Sequence, residues 1–142
     1  MNHKIKVLIT GAGSAVGQAI FKSLRISKMS LKIYTSDISE MNANLYRSSN
    51  SFIIPKVETK NSLQWFIKFL KKKKIDVLMI GSEHEILFFS KNKRIIEKKT
   101  GTLICVSDLK TCKISDDKLA TQVFLKKNNF NYLKTYKSNN KQ

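Results

Sequence analysis

Residues able to do chemistry gather in a few short stretches of this chain. The first is Gly11-Ala12-Gly13-Ser14-Ala15-Val16-Gly17, where an apolar run breaks into closely spaced glycines. Between a strand and a helix, such a turn aims backbone N–H groups and the positive end of the helix dipole at one point, a setting that suits an anion such as a phosphate. Gly11 and Gly13 are expected to turn the chain at positive φ and to leave no Cβ between backbone and docked group, while Gly17 lets helix and strand approach. The spacing is G-x-G-x-x-x-G, because Val16 stands where the dinucleotide fingerprint has its third glycine. A tight strand-to-helix turn without any ligand explains the same glycines equally well.

The second stretch ends at Asp37, 20 positions past Gly17, where a dinucleotide fold carries its ribose-binding carboxylate and NAD would dock. Asp37-Ile38-Ser39-Glu40 is also ordinary turn and helix-start chemistry. The third is Gly81-Ser82-Glu83-His84-Glu85, with three ionisable side chains in a row at the end of an apolar run. Glu85 could orient a substrate or another loop; equally, Glu83 and Glu85 could be carboxylates at a helix N-terminus. A zinc motif H-E-x-x-H fails here, since Phe88 holds the place of the second histidine and the other histidine is His3, so no metal site is expected. Cys105 and Cys112 form neither a C-x-x-C pair nor a disulfide framework. Cys105 sits in the apolar run Leu103-Ile104-Cys105-Val106 and is expected to be a buried, inert thiol.

The elements that must position these residues follow from hydrophobic periodicity. The run Lys4 to Thr10 reads as a strand, and the helix after the glycines continues over Gln18 to Lys28 with Ala19, Ile20, Ser23, Leu24 and Ser27 on its inner face. A second strand, Leu31 to Thr35, leads to Asp37; a short helix over Met41 to Tyr46 and a third strand, Ser51 to Ile54, end at Pro55, the single proline. Leu63, Phe66, Ile67 and Leu70 predict a helix over Thr59 to Lys73, broadened by Trp65 and Phe69, with Asn61 and Gln64 at capping-box spacing. Strand four is Ile75 to Ile80, followed by a helix from Ile86 to Lys99 with Ile86, Phe89, Ile95 and Ile96 inward and Gly101 as its stop. Strand five is Thr102 to Val106. Strands alternating with helices imply an α/β fold, a Rossmann-like open parallel sheet of about five strands with right-handed crossovers and helices on both faces. The tail reads as a helix within Ile114 to Phe130, with Leu119, Val123 and Phe124 inward and Asn128 or Asn129 taking the left-handed stop, before a polar end from Lys137 to Gln142.

At 142 residues and 42% hydrophobic content, one domain with a proper core is the expectation. The 27 Lys+Arg against 10 Asp+Glu give a formal charge of +17, which invites a nucleic-acid or membrane partner. The distribution argues against both. Lysines are scattered over nearly every element, the arginines are Arg25, Arg47 and Arg94, and the one run, Lys71 to Lys74, closes a helix where cations complement the dipole. No segment approaches the ~18 consecutive apolar residues of a membrane span, and no signal-peptide pattern opens the chain, so a cytoplasmic protein is expected.

Over nearly its whole length the chain resembles the N-terminal region of the ATP-grasp ligases, above all the branch similar to the carbamoyl-phosphate-synthase large subunit. The residues that carry the resemblance are Val7-Leu8-Ile9-Thr10-Gly11-Ala12-Gly13, Asp37, Glu85-Ile86-Leu87, the strand Leu103 to Val106, the short helix Leu109 to Ile114 and, most specifically, Asp117-Lys118-x-x-Thr121-x-x-Phe124-Leu125. The resemblance implies a pre-ATP-grasp domain over residues 1–113, with 114–142 a helix and linker leading towards an ATP-grasp domain. It implies an ATP-dependent ligase working through an acyl phosphate, with ATP and magnesium as cofactors of a full-length protein and neither bound tightly by this chain by itself. Lys118 would reach the ATP phosphates as a flexible point charge. Gly11, Gly13, Ser14, Asp37 and Glu85 would lie on loops facing phosphate or acceptor, the acceptor being a small-molecule carboxylate or amino acid. No nucleic acid and no membrane is implied, and a homodimer is compatible with it. Two departures stand out: Asn128-Asn129-Phe130-Asn131-Tyr132-Leu133 lacks the family's glycine and proline, and the sequence stops just past Tyr136, where the grasp domain should begin. The chain is therefore expected to be incomplete as a catalyst.

The rival enzyme reading is an NAD(P)-binding oxidoreductase or epimerase, favoured by Thr10-Gly11 and Asp37. It lacks a Tyr-x-x-x-Lys pair after Tyr34, Tyr46, Tyr132 or Tyr136. A basic nucleic-acid module rests on charge alone, without aromatic side chains interleaved in a basic patch.

Overall fold

The structure, a computed structural model, describes residues 4–137; His3 and most of the polar end lie outside the described residues. The chain divides into two compact units, the first ending at Val106 and the second starting at Ser107.

In the first unit, β1 (Ile5–Thr10), β2 (Leu31–Asp37), β3 (Ser51–Ile53), β4 (Val77–Ile80) and β5 (Leu103–Cys105) form one sheet in the order β3-β2-β1-β4-β5. Every neighbouring pair is parallel, with Val7 opposite Ile33 on one side of β1 and Val77 on the other. The strands are joined by α1 (Ala15–Ile26), a short 3-10 turn (Ala43–Arg47), α2 (Ser62–Lys73) and α3 (Glu83–Thr100). The expected α/β class, strand count and parallel pairing hold. They hold because the buried strands are apolar runs punctuated by glycine, proline and polar turns.

Alternation along β1 divides the core. Leu8 belongs to the cluster of Tyr34, Ile54, Val57, Phe66, Leu70, Ile75, Leu78, Phe89, Ile96 and Ile104, which α2 and α3 cover together. Val7 and Ile9 point the other way, toward the face where α1 places Phe21. Aromatic rings run without a break through the first cluster: Tyr34 and Phe52 at 6.0 Å, Phe52 and Phe69 at 5.2 Å, Phe69 and Trp65 at 4.9 Å, Trp65 and Phe66 at 5.2 Å, Phe66 and Phe89 at 5.0 Å. Such edge-to-face and offset pairs contribute about 0.5–1.5 kcal/mol each beyond their burial.

Several finer expectations are corrected. The inner face of α1 is Gly17 and Phe21, flanked by half-buried Ile20 and Leu24, while Ala19 and Ser23 are exposed. Ile95 on α3 is 40% exposed, and Ile96 alone of that pair faces the core. Asn61 stands at the N-cap of α2 without a side-chain hydrogen bond, so the expected capping box does not form. Cys105 is exposed, because β5 is an edge strand that buries Ile104 and turns Leu103 and Cys105 outward. The helix stops hold: Gly101 closes α3 at φ 73° and the lysine run closes α2.

The second unit holds α4 (Leu109–Asp116) and α5 (Lys118–Lys127). Asp108 caps α4 by accepting from Thr111 N at 2.9 Å, and Asp117 caps α5 by accepting from Leu119 N at 2.8 Å and Ala120 N at 3.1 Å. Asn129 takes the left-handed stop at φ 59°. Leu119 and Leu125 are half-buried, whereas Val123 at 66% and Phe124 at 43% exposure do not face inward as expected.

Candidate functional site

Order reverses in the sheet between β1 and β4, and the loops leaving their carboxyl ends open a crevice there, the usual ligand position in such sheets. In this crevice lies a cleft of about 650 Å³ lined by Gly11, Gly13, Ser14, Asp37 and Glu85, together with Ile38, Asn42, Lys56, Val57, Glu58, Ser82 and His84. All five loop residues singled out in the first unit therefore meet in one place. Lys118, the sixth candidate, is an exposed residue at the start of α5 in the second unit.

The glycine turn is built differently from expectation. Gly11 has φ 53°, but a Cβ on it would lie 2.6 Å from Ser82 Cβ, so the space it leaves is taken by the β4–α3 loop. Gly13 is not among the positive-φ residues, and a Cβ there would lie 2.2 Å from Asn42 Cγ. Both glycines make room for the chain's own side chains. Gly17 does what its place in the helix suggested: a Cβ would stand 2.2 Å from the Gly11 carbonyl oxygen, so helix and turn are in backbone contact.

The polar groups of the turn are also largely engaged. Ser14 Oγ accepts from Gly17 N at 2.9 Å, capping α1, and donates to the Gly81 carbonyl, tying the turn to the exit of β4. Asp37 is buried, and its carboxylate accepts from Gly13 N and Ile38 N, each at 2.8 Å, and from Ser39 N at 3.4 Å. It locks the end of β2 to the glycine turn. Asn44, which no local pattern marks, donates from Nδ2 to the Ala12 carbonyl at 2.7 Å across 32 residues of sequence. Asn42, Asn44, Lys56 and Glu58 are the cleft or turn residues that sequence reasoning missed. Asn42 and Asn44 meet the glycine turn from far along the chain, and for Lys56 and Glu58 the nearest sequence signal is the break at Pro55 just ahead of them.

Glu85 is different. It occupies the first turn of α3, where the helix dipole favours a carboxylate by about 0.3–1 kcal/mol. Yet it is 5% exposed, and its Oε2 has no hydrogen-bond partner. Burial pushes its pKa from an ordinary 4.5 up to about 7; the Thr10 hydroxyl beside it and His84 pull the other way, and Asp37 and Glu58 add to the rise. Thr10 Oγ1 is itself buried and outside ordinary hydrogen-bond geometry with any partner. Glu85 thus lines the cleft as a buried acid, with the buried Thr10 hydroxyl beside it moderating the rise of its pKa.

The comparisons with known proteins agree with this architecture. No curated protein matches the chain in sequence. Among solved structures, N5-carboxyaminoimidazole synthetase from Staphylococcus aureus, crystallised with ADP, superposes with a TM-score of 0.61 at 21% identity, over 89% of this chain and 31% of that one. L-amino acid ligase from Bacillus licheniformis gives 0.64 at 14% identity, over 92% and 32%. The chain thus spans about a third of the length of these two ligases. A yeast methylglyoxal/isovaleraldehyde reductase complexed with NADPH gives 0.53 at 14% identity, over 87% and 54%. At these identities the likeness is one of fold. Residues 7–104 match the family described as PylC-like, N-terminal domain, and with more than half of its length matched the chain belongs to that family, an N-terminal domain of the ATP-grasp ligase kind.

Proposed function

We propose that this chain is the N-terminal part of an ATP-dependent ligase that activates a carboxylate through an acyl phosphate, of the carbamoyl-phosphate-synthase-like branch, and that its cleft faces the acceptor. The observation that carries the reading is the meeting of Gly11, Gly13, Ser14, Asp37 and Glu85 at one switch-point cleft on a chain of this family. In this reading the first unit binds and orients the acceptor, a small-molecule carboxylate or amino acid. Lys118 supplies a cation to the ATP phosphates from the exposed start of α5. Among the described residues no three His, Cys, Asp or Glu side chains gather as a metal site. In this reading magnesium and the phosphoryl transfer itself belong to the remainder of the ligase.

The test is made on the full-length protein: ADP release should require ATP, magnesium and a carboxylate acceptor. Lys118→Ala should weaken ATP binding roughly tenfold or more, the size of a lost charge-assisted contact. Unchanged ATP affinity would remove Lys118 from its role. The dinucleotide reading loses ground on two contacts, because Asp37 is turned onto the backbone of the glycine turn and Asn42 fills the space beside Gly13. It predicts that this chain titrates with NADPH.

A further inference from the structure

A second concavity, of about 350 Å³, lies on the carboxyl-terminal half of α1 and shares no residue with the switch-point cleft; Phe21, Lys22, Arg25, Ile26 and Arg47 line it. Its chemistry is the reverse of the cleft's. Three of the lining side chains are cations and none is a carboxylate, whereas Asp37, Glu58 and Glu85 line the cleft. A lysine-rich composition does not account for this, because the chain's arginines are Arg25, Arg47 and Arg94, and two of them meet here from separate elements, α1 and the end of the 3-10 turn. Arg25 stands over the Phe21 ring at 5.7 Å, a cation–π contact that holds its guanidinium at the pocket. Its place in the last turn of α1 also suits the helix dipole. Lys22 lies ahead of that turn at i, i+3 spacing from Arg25, and Arg47 adds a third like charge, a mutual repulsion that an anion relieves. Phe21 is buried and gives the pocket an aromatic floor, while Ile26, 84% exposed, leaves apolar surface beside the cations.

We propose that this pocket binds the phosphate group of a small phosphomonoester, at a site separate from the acceptor cleft and from Lys118. Two guanidinium forks match pairs of phosphate oxygens, and Lys22 adds a point charge. A phosphomonoester carries about −1.5 to −2 charges at pH 7, which answers three cations better than the single charge of a carboxylate. The Phe21 floor and Ile26 receive the organic part. The volume, at the lower end of the roughly 300–1,000 Å³ of small-molecule sites, limits that part to a small one. The inference goes beyond the ligase reading and does not depend on it.

The experiment is a titration of the 142-residue chain with phenyl phosphate, benzoate and inorganic phosphate, followed by backbone amide shifts in roughly 150 mM salt, where the diffuse field of the +17 surface is screened over about 8 Å. Phenyl phosphate should move the amides of Phe21, Lys22, Arg25, Ile26 and Arg47 saturably and leave those of the lysine run, Lys71 to Lys74, in place. Benzoate and inorganic phosphate should bind roughly tenfold more weakly or worse. Arg47→Gln, at an exposed position outside the core, should also lose roughly tenfold in affinity, and Arg25→Gln should do the same from the other element. Arg94→Gln, on α3 and outside the pocket, should bind like the parent. The absence of a saturable shift, equal shifts along the lysine run, parental affinity in Arg47→Gln, or the same loss in Arg94→Gln overturns the inference. Benzoate binding as tightly as phenyl phosphate would overturn the phosphate, and inorganic phosphate binding as tightly would overturn the ester. Neither Lys118 nor the cleft enters this test, so its failure leaves the ligase reading to be decided by ADP release.

Discussion

Glu85 shows how burial outweighs a favourable local field. The N-terminal turn of α3 offers it a dipole, but removal from water dominates and lifts its pKa to about 7. The sign of the consequence follows from linkage. The folded state binds this proton more tightly than the unfolded one. No penalty therefore exists below about pH 4.5; it grows between 4.5 and 7 and is complete above that, reaching about 3 kcal/mol. Glu85→Gln should accordingly match the parent's stability at pH 4 and exceed it by a few kcal/mol at pH 8, measured by urea unfolding at both. Parallel pH curves for the two proteins would refute the assignment. Legibility at this scale was uneven. The acid at the end of β4 stood out from its place in the chain, but its isolation did not, because the missing partner is a property of what surrounds it. Asp37 likewise stood out by spacing, whereas its hydrogen bond to Gly13 required the fold.

At the scale of elements, the glycines separate into two kinds that substitution should distinguish. A Cβ at Gly17 would press into the Gly11 carbonyl at 2.2 Å and Ala12 Cα at 2.8 Å, with backbone on both sides and nothing flexible to yield. A Cβ at Gly101 meets nothing within 4 Å, and its cost comes from φ 73° alone. Gly101→Ala should thus cost about 1 kcal/mol, and Gly17→Ala about 3 kcal/mol or more, because the helix must move off the turn. Denaturant midpoints decide the ordering, and a Gly17→Ala protein as stable as Gly101→Ala would contradict the close packing. Helix and strand extents were readable because period and punctuation are local. The inward faces were less so: α1 turns Phe21 rather than Ala19 and Ser23 to the sheet, and α3 turns Ile96 rather than Ile95. Two neighbouring apolar residues predict a helix equally well, and the packing partner selects between them.

For the whole molecule, a charge of +17 is spread over the lysines of nearly every element. Among the described residues no helix is long and apolar enough to cross a membrane. A diffuse positive surface predicts weak, sequence-independent DNA binding that falls steeply with salt. Fluorescence anisotropy with two unrelated duplexes should show equal affinities that vanish between 50 and roughly 200 mM salt, and a sequence preference surviving at the higher salt would reopen the nucleic-acid reading. By itself the sequence determined the α/β class, the parallel strands, the glycine turn and the resemblance to ATP-grasp N-terminal regions, since all of these rest on spacing along the chain. Tertiary structure alone decided that five residues from three separate segments, the β1–α1 turn, the end of β2 and the start of α3, share one cleft, that the spaces beside Gly11 and Gly13 are filled by Ser82 and Asn42, that Cys105 lies on an exposed edge, and that one oxygen of Glu85 is left outside ordinary hydrogen-bond geometry. The physical reason is that burial and hydrogen-bond satisfaction are set by groups distant in sequence, and a local pattern holds no record of them.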